Sequence, residues 1–181
     1  MVRKMTLWRG REGTVNIAEI VPTWGHFRSK PATTKAFFWA EGRRGTGFGV
    51  SANSETERIK IRAEVTEPDV LIVLDPGLLQ VGDVVSRLKK DGTAVINTMK
   101  SHDEMKSELS VNKLATVDAM SIARAVLGLP IVNTTMLGAM IKATGIVKLE
   151  SLESPLEERF GKVAMKNIEA MKEAYAEAVV S

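Results

Sequence analysis

The fold is decided by Val70-Leu71-Ile72-Val73-Leu74, a continuous run of branched apolar residues that stops at Asp75-Pro76-Gly77. A strand with one solvated face alternates apolar and polar residues, so an unbroken apolar run predicts a strand covered on both faces. Thr93-Ala94-Val95-Ile96-Asn97 repeats this pattern after the turn signal Asp91-Gly92, and Leu114 to Val117 predicts a third strand. Such strands are typical of a parallel sheet enclosed by helices.

Helix signals lie between and after these strands. Val81 to Leu88 has the spacing of a short helix, and Ser101-His102-Asp103-Glu104 opens another as a capping box. Asp118 is predicted to cap a helix that ends near Gly128 and Pro130. The alternation of strand and helix predicts an α/β fold: a three-layer α/β/α sandwich around a mainly parallel, mixed sheet.

The remaining segments carry their own patterns. Val15 to Val21 has helix-compatible spacing, whereas residues 48–52 and 59–63 place apolar side chains at every second position, which predicts an antiparallel hairpin. The C-terminal third is predicted to be helical. Within it, Ser154-Pro155-Leu156-Glu157 marks a helix start with Ser154 as N-cap, and Ile168 to Val179 supplies the apolar face of the last helix.

Length and composition limit the architecture further. With 181 residues, 44% of them hydrophobic, the chain fits a single domain over residues 1–181 with a substantial core. No run of ~18 apolar residues occurs, and the N-terminus turns charged before a signal-type segment develops, so we expect a cytoplasmic chain without membrane contact. The absence of cysteine excludes disulfides, thiolate catalysis and a cysteine-ligated iron–sulfur cluster within this chain.

Charge is distributed unevenly along the chain. Residues 1–66 hold 12 Lys and Arg against 6 Asp and Glu, whereas residues 67–181 hold 13 against 16, so the first part carries +6 and the rest −3. This asymmetry favours an anionic partner for the N-terminal part: a phosphate-bearing ligand, a nucleic acid or an acidic subunit surface. A solvated basic face explains the same charges without any ligand.

Two glycine-bearing arginine clusters are candidate anion sites. In the first, Arg9, Gly10, Arg11 and Gly13 precede a predicted helix whose free N–H groups attract phosphate. In the second, Arg43-Arg44-Gly45 combines two guanidinium forks with a backbone that can lie close to a phosphate. Neither cluster matches a known nucleotide motif, and exposed turns with surface arginines remain the alternative interpretation.

Other candidates have simpler interpretations beside them. Asn133 and Thr134 are cofactor-binding candidates, yet they begin a predicted helix and a capping role accounts for both. Gly138, in the same helix, is predicted to allow close packing. Phe37-Phe38-Trp39 has the character of a base-stacking platform, but these aromatics and the Met-rich C-terminal helices are equally expected to supply apolar surface for subunit contacts.

Conventional catalytic and metal sites are not indicated. The two histidines, His26 and His102, lie in a polar loop and a helix-cap segment, and neither is placed to anchor a triad. The spacing of the aspartates in residues 69–91 resembles no calcium loop. We therefore predict no catalytic residue and no metal site in this chain.

Five segments, taken in order and spacing, resemble the gamma subunit of the pyruvate and other 2-oxoacid:ferredoxin oxidoreductases. They are Glu67–Leu79 (EPDVLIVLDPGLL), Thr93–Thr98 (TAVINT), Val117–Ala119 (VDA), Gly128–Ala139 (GLPIVNTTMLGA) and Ala143–Ser151 (ATGIVKLES). The resemblance runs from about Leu7 to Tyr175. One departure is the first loop, where the family commonly has His-Gly-Arg-Gly-Gly-Gln-Gly and this chain has Leu7-Trp8-Arg9-Gly10-Arg11-Glu12-Gly13. The family's Glu-Arg-Arg-Gly-Ala-Pro is kept more closely, as Glu41-Gly42-Arg43-Arg44-Gly45-Thr46.

The resemblance implies a non-catalytic gamma subunit of an anaerobic enzyme that oxidatively decarboxylates a 2-oxoacid, pyruvate first, to its acyl-CoA with ferredoxin as acceptor. It implies alpha, beta and delta subunits as partners, with thiamine diphosphate, Mg²⁺ and iron–sulfur clusters in those partners. Gamma would help to close the coenzyme A site, and the isolated chain would bind no cofactor and be inactive. Coenzyme A carries several phosphates, which suits the arginines at positions 9, 11, 43 and 44.

Two other function classes remain to be compared. A stand-alone Rossmann-type oxidoreductase would need a G-x-G-x-x-G turn, which the sequence lacks. A nucleic-acid-binding module would explain the basic N-terminal part, but the net charge of +3 is low and no binding motif is present, so we expect no nucleic acid partner.

Overall fold

A computed structural model describes residues 3–9, 48–54, 67–81, 85–145 and 148–181. The strands of this part are β1 (Arg3–Arg9), β2 (Phe48–Ser54), β3 (Val70–Val73), β4 (Thr93–Asn97), β5 (Lys113–Val117) and β6 (Val179–Val180). Its helices are α1 (Leu78–Val81), α2 (His102–Glu108), α3 (Ala119–Leu127), α4 (Asn133–Thr144), α5 (Glu153–Phe160) and α6 (Ala164–Glu177). Short 3₁₀ turns precede α5 and α6.

The strands form one mixed sheet in the order β2-β1-β3-β4-β5-β6. The four inner strands β1, β3, β4 and β5 are parallel, and the edge strands β2 and β6 pair antiparallel to β1 and β5. The predicted mainly parallel, mixed sheet is therefore confirmed. Here β2 pairs with β1, while residues 59–63, the predicted hairpin partner, lie outside the described residues, as does the predicted helix at 15–21.

The two faces of the sheet carry separate apolar clusters. Val70, Ile72 and Leu74 pack with residues of α3, α4, α5 and α6 on one face. Leu71 and Val73 point the other way and pack with residues of α1 and α2. Because side chains alternate along a strand, the continuous apolar run feeds both clusters, which confirms the three-layer prediction.

Helix α4 lies at the centre of the larger layer and packs closely on α6. Residues Asn133 to Ile141 are all buried. A Cβ atom on Gly138 would lie only 1.9 Å from the carbonyl oxygen of Met171, so the absence of a side chain there permits the contact between the helices. The packing role predicted for Gly138 is confirmed.

The methionines of these helices belong mostly to the core. Met136, Met140 and Met171 are buried, so the prediction that the Met-rich helices expose their apolar side chains for subunit contacts is wrong for these three. Their side chains fill the space between α4, α6 and the sheet instead. Among the described residues, the most exposed methionines are Met99 and Met165, at 84% and 69% exposure.

Three predicted element boundaries are wrong. Helix α1 covers Leu78–Val81, so it begins three residues before the predicted start at Val81. The Asp75 carboxylate accepts a hydrogen bond from the Gly77 N–H, and the Asp75 carbonyl accepts one from the Leu78 N–H, which favours this earlier start. Ser154 lies inside α5, whose N-cap is Leu152 without a side-chain hydrogen bond. Val179 lies in β6 rather than in the last helix, which ends at Glu177.

Candidate functional site

The carboxyl ends of the four parallel strands meet at one edge of the sheet. Trp8 is level with Val73, Val73 with Ile96, and Ile96 with Thr116, so the strands end at a common height. In open α/β sheets, ligands bind outside these carboxyl ends. In the described sheet the parallel strands follow chain order, without the reversal that creates a Rossmann crevice, so this topology does not favour the Rossmann alternative.

The end of β1 and the start of β2 lie side by side at this edge, and each is close in sequence to one arginine cluster. Arg9, a predicted site residue, is the last residue of β1 and pairs with Phe48, the first residue of β2. The described chain therefore leaves the sheet and re-enters it at one pair of neighbouring residues. The other predicted anion-site residues, Gly10, Arg11, Gly13, Arg43, Arg44 and Gly45, lie outside the described residues, as do Phe37, Phe38 and Trp39.

Hydrogen bonds connect the neighbouring strand ends at this edge. The buried Asn97 side-chain amide donates to the Leu74 carbonyl at 2.8 Å, which ties the end of β4 to that of β3. The Thr98 N–H donates to the Val117 carbonyl at 2.9 Å, which ties the end of β5 to that of β4. Lys100 follows on this edge and forms an ion pair with Glu108 of α2. Hydrogen bonds thus join the ends of β3, β4 and β5, and the described lysine on this edge already has an anionic partner.

The start of α4 holds the two predicted site residues that the structure describes by their side chains. Asn133 and Thr134 are buried, and the N-cap is Val132, with no side-chain capping hydrogen bond. The prediction that these two residues cap the helix is therefore wrong. Their cofactor-binding role stays a prediction.

Four side-chain atoms at this helix start are buried and have no hydrogen-bond partner in the part of the chain that the structure describes: Asn133 Nδ2, Asn133 Oδ1, Thr134 Oγ1 and Thr135 Oγ1. Thr135 was not selected from the sequence. The apolar residues that follow Thr135 could have indicated its burial. A helix that is apolar on all sides is buried, and the polar residues of its first turn are then buried with it.

His102 bonds two hydroxyl groups rather than a carboxylate. Its Nδ1 lies 2.9 Å from Thr116 Oγ1 and its Nε2 lies 2.9 Å from Ser181 Oγ. Nucleophilic catalysis of the Ser–His type needs a third group that stabilises the imidazolium, usually an aspartate. A neutral threonine hydroxyl occupies that position here, so the contact links α2, β5 and residue 181 and resembles no triad. His26 lies outside the described residues.

Within the residues that the structure describes, no three His, Asp or Glu side chains converge as a metal-binding group would require. No helix in that part of the chain has the length and apolar character needed to cross a membrane.

Comparison with known proteins extends these observations. Residues 9–177 match the family described as pyruvate ferredoxin/flavodoxin oxidoreductase. The chain is 41% identical over 175 residues to the "Pyruvate/ketoisovalerate oxidoreductases common subunit gamma" of Thermococcus litoralis, covering 95% of this chain and 94% of that protein.

Two solved structures are similar in fold. Pyruvate oxidoreductase subunit PORC from Thermotoga maritima superimposes with a TM-score of 0.80 at 28% identity, covering 99% of this chain and 98% of that chain. The 2-oxoglutarate:ferredoxin oxidoreductase from Magnetococcus marinus, with 2-oxoglutarate, coenzyme A and succinyl-CoA bound, gives a TM-score of 0.71 at 16% identity. That match covers 97% of this chain and 30% of that longer chain, and at this identity it concerns the fold alone.

Proposed function

Because the chain belongs to the pyruvate ferredoxin/flavodoxin oxidoreductase family, as a gamma-type subunit, we propose that it helps to close the coenzyme A site of its enzyme complex. The complex would oxidatively decarboxylate a 2-oxoacid to an acyl-CoA and pass electrons to ferredoxin. The chain has no cysteine with which to hold an iron–sulfur cluster, so the clusters are assigned to partner subunits. Alpha, beta and delta subunits, with thiamine diphosphate and Mg²⁺, would supply the chemistry.

The pairing of Arg9 with Phe48 is the observation that carries this proposal. It brings the end of β1 and the start of β2 together at the carboxyl edge of the parallel strands, the edge at which α/β sheets receive ligands. Each of these strand ends is close in sequence to one arginine cluster. Arg44 precedes Phe48 by four residues, and four residues span at most about 14 Å. Arg9, Gly10, Arg11, Gly13, Arg43, Arg44 and Gly45 would therefore line one anion-binding region.

The chemistry of coenzyme A suits such a region. It carries a pyrophosphate and a 3′-phosphate, and guanidinium groups bind phosphate oxygens through two parallel hydrogen bonds. We assign the larger share to Arg43 and Arg44, because their segment keeps the family pattern while the loop at residues 7–13 departs from it. Coenzyme A bound in the Magnetococcus marinus structure supports the ligand class, although that similarity concerns the fold.

The choice of 2-oxoacid is proposed to lie outside this chain. The Thermococcus litoralis relative is named as a gamma subunit common to pyruvate and ketoisovalerate oxidoreductases. A subunit shared by two enzymes cannot by itself select between their substrates. Pyruvate is the first candidate substrate of this complex, which is expected in the cytoplasm. The isolated chain is expected to be colourless and inactive.

Substituting the two arginines tests the proposal in the assembled complex. Losing one charge-assisted phosphate bond costs about 1.5–3 kcal/mol, so Arg43→Ala and Arg44→Ala should each raise the KM for coenzyme A by roughly 10- to 150-fold. Decarboxylation measured without coenzyme A should stay unchanged, because that step belongs to other subunits.

The matched control is Arg124→Ala, which removes an exposed arginine of α3 that belongs to neither cluster. Its coenzyme A kinetics should equal those of the unmodified complex. Recovery of all subunits is checked first for each variant. Wild-type KM values in both Arg43→Ala and Arg44→Ala complexes would show that these arginines are surface or interface charges.

A further inference from the structure

The first turn of α4 combines polar side chains with complete enclosure. Asn133 is 5% exposed, and Thr134 and Thr135 are fully buried. Both polar atoms of Asn133 and the hydroxyls of Thr134 and Thr135 have no hydrogen-bond partner among the described residues. Buried polar atoms are nearly always bonded, so four such atoms in three consecutive residues require an explanation.

The backbone of this turn adds further donors in the same place. The N–H of Met136 donates to the Val132 carbonyl at 2.8 Å, which is the first bond of the helix. The N–H groups of the three residues before Met136 precede that bond and have no acceptor within the helix. Successive residues of a helix are about 100° apart around its axis, so the three side chains surround the helix start rather than meet at one point.

A charged ligand does not fit this region. An ion enclosed in a protein needs a counter-charge, because burial without one costs far more free energy than a neutral hydrogen bond regains. Among the described residues, the buried polar side chains are Thr, Asn and no others, so none carries a charge. Neither an anion nor a metal ion would find its counter-charge among the described buried residues.

We propose that the start of α4 is an internal water site, in which ordered water molecules bond the side chains of Asn133, Thr134 and Thr135. A buried water typically makes about three hydrogen bonds to polar groups that would otherwise lack partners. Water both donates and accepts, so it can serve the Asn133 oxygen as well as the surrounding N–H and O–H donors.

This site gives Asn133 and Thr134 a positioning role. They would hold the start of α4 through water, without touching coenzyme A, while Gly138 holds the middle of the helix against α6. The inference does not depend on the proposed coenzyme A function, since it concerns only residues whose polar atoms are enclosed.

Threonine-to-valine substitutions distinguish bound water from unpartnered hydroxyls by the sign of their effect. Valine has nearly the same shape as threonine and is also β-branched, so the change removes little besides the hydroxyl. If water bridges the site, Thr134→Val and Thr135→Val in the full chain should each lower Tm by about 2–4 °C. If the hydroxyls bond nothing, removing them relieves an unsatisfied group, and a raised Tm would overturn the proposal.

Thr144→Val is the matched control on the same helix. The Thr144 hydroxyl donates to the Met140 carbonyl at 2.7 Å and needs no water, so its removal should change Tm by less than about 2 °C. Adding inorganic phosphate tests for an anion. A phosphate-dependent rise in Tm of the wild-type chain that Thr134→Val abolishes would contradict an internal water site.

A measurement on the wild-type chain keeps the proposal testable if the variants do not fold. Water-to-protein magnetisation transfer in NMR detects internal waters through the amides that they contact. Transfer to the amides of Asn133, Thr134 or Thr135 from long-lived water is the expected result. A folded chain in which all three amides show no such transfer would rule the site out.

Discussion

Helices α3 and α4 begin in opposite ways. The Asp118 carboxylate at the start of α3 accepts a hydrogen bond from the Ser121 N–H at 3.0 Å, near the surface. Val132 at the start of α4 offers no such bond, and the polar residues that follow are enclosed. At the exposed start of α3, a side chain close in sequence accepts a hydrogen bond from a free backbone N–H. At the buried start of α4, the free polar groups depend on partners from outside the helix.

Because α3 and α4 are held in different ways, the largest loss of stability is expected from a substitution of Gly138 in α4. Its Cβ would collide with the Met171 backbone, which cannot move without separating α4 from α6, so Gly138→Ala should cost at least about 3 kcal/mol or prevent folding. Gly128→Ala at the end of α3 is the control. Gly128 has φ of 72° but open space around it, so only about 1–2 kcal/mol of backbone strain is expected. Equal losses in urea unfolding of the two variants would contradict the close packing of α4.

Removing the α3 cap should have an intermediate effect. Asp118→Ala leaves the Ser121 N–H without its acceptor, and the loss of an N-cap typically costs about 1 kcal/mol. Asp118→Asn keeps an oxygen in place and should cost much less. Chemical denaturation of both variants measures the difference, and an Asn variant as unstable as the Ala variant would mean that the cap is not what Asp118 contributes.

The smallest expected effect is a pH dependence of stability at α2. This helix, like α3, begins with a side-chain cap. The Ser101 hydroxyl, and then the Ser101 N–H, donate to the Glu104 carboxylate and lower its pKa. A lowered folded-state pKa stabilises the protein above the unfolded value of about 4.3 and loses that contribution as pH falls through the folded value. Glu104→Gln should flatten this part of the acid unfolding curve. An unchanged curve would show that the box contributes nothing to pH dependence.

Exposed caps and buried strands could be predicted from sequence because their causes are local. The capping box at Ser101 and Glu104, the Asp118 cap and the three apolar strands are all confirmed. Each depends on residues a few positions apart, or on a run whose composition alone requires burial on both faces.

Two other helix starts, the buried one of α4 and the more exposed one of α5, could not be predicted in the same way. Asn133 and Ser154 are good capping residues, yet Val132 and Leu152 occupy the cap positions. Helix α4 also packs against the sheet and α6, in contacts with Met171 and other residues that are distant in sequence. The site at the sheet edge depends likewise on the pairing of Arg9 with Phe48, which no local pattern specifies.

Hydrogen–deuterium exchange in the assembled complex, with and without coenzyme A, tests the central claim most directly. Coenzyme A should slow amide exchange in residues 9–13 and 43–48, on either side of the Arg9 and Phe48 pair, because bound phosphates engage and cover that region. Exchange at Asn133 to Thr135 should stay the same in both states. Protection confined to other subunits, with unchanged exchange in residues 9–13 and 43–48, would contradict a role for this chain in closing the coenzyme A site.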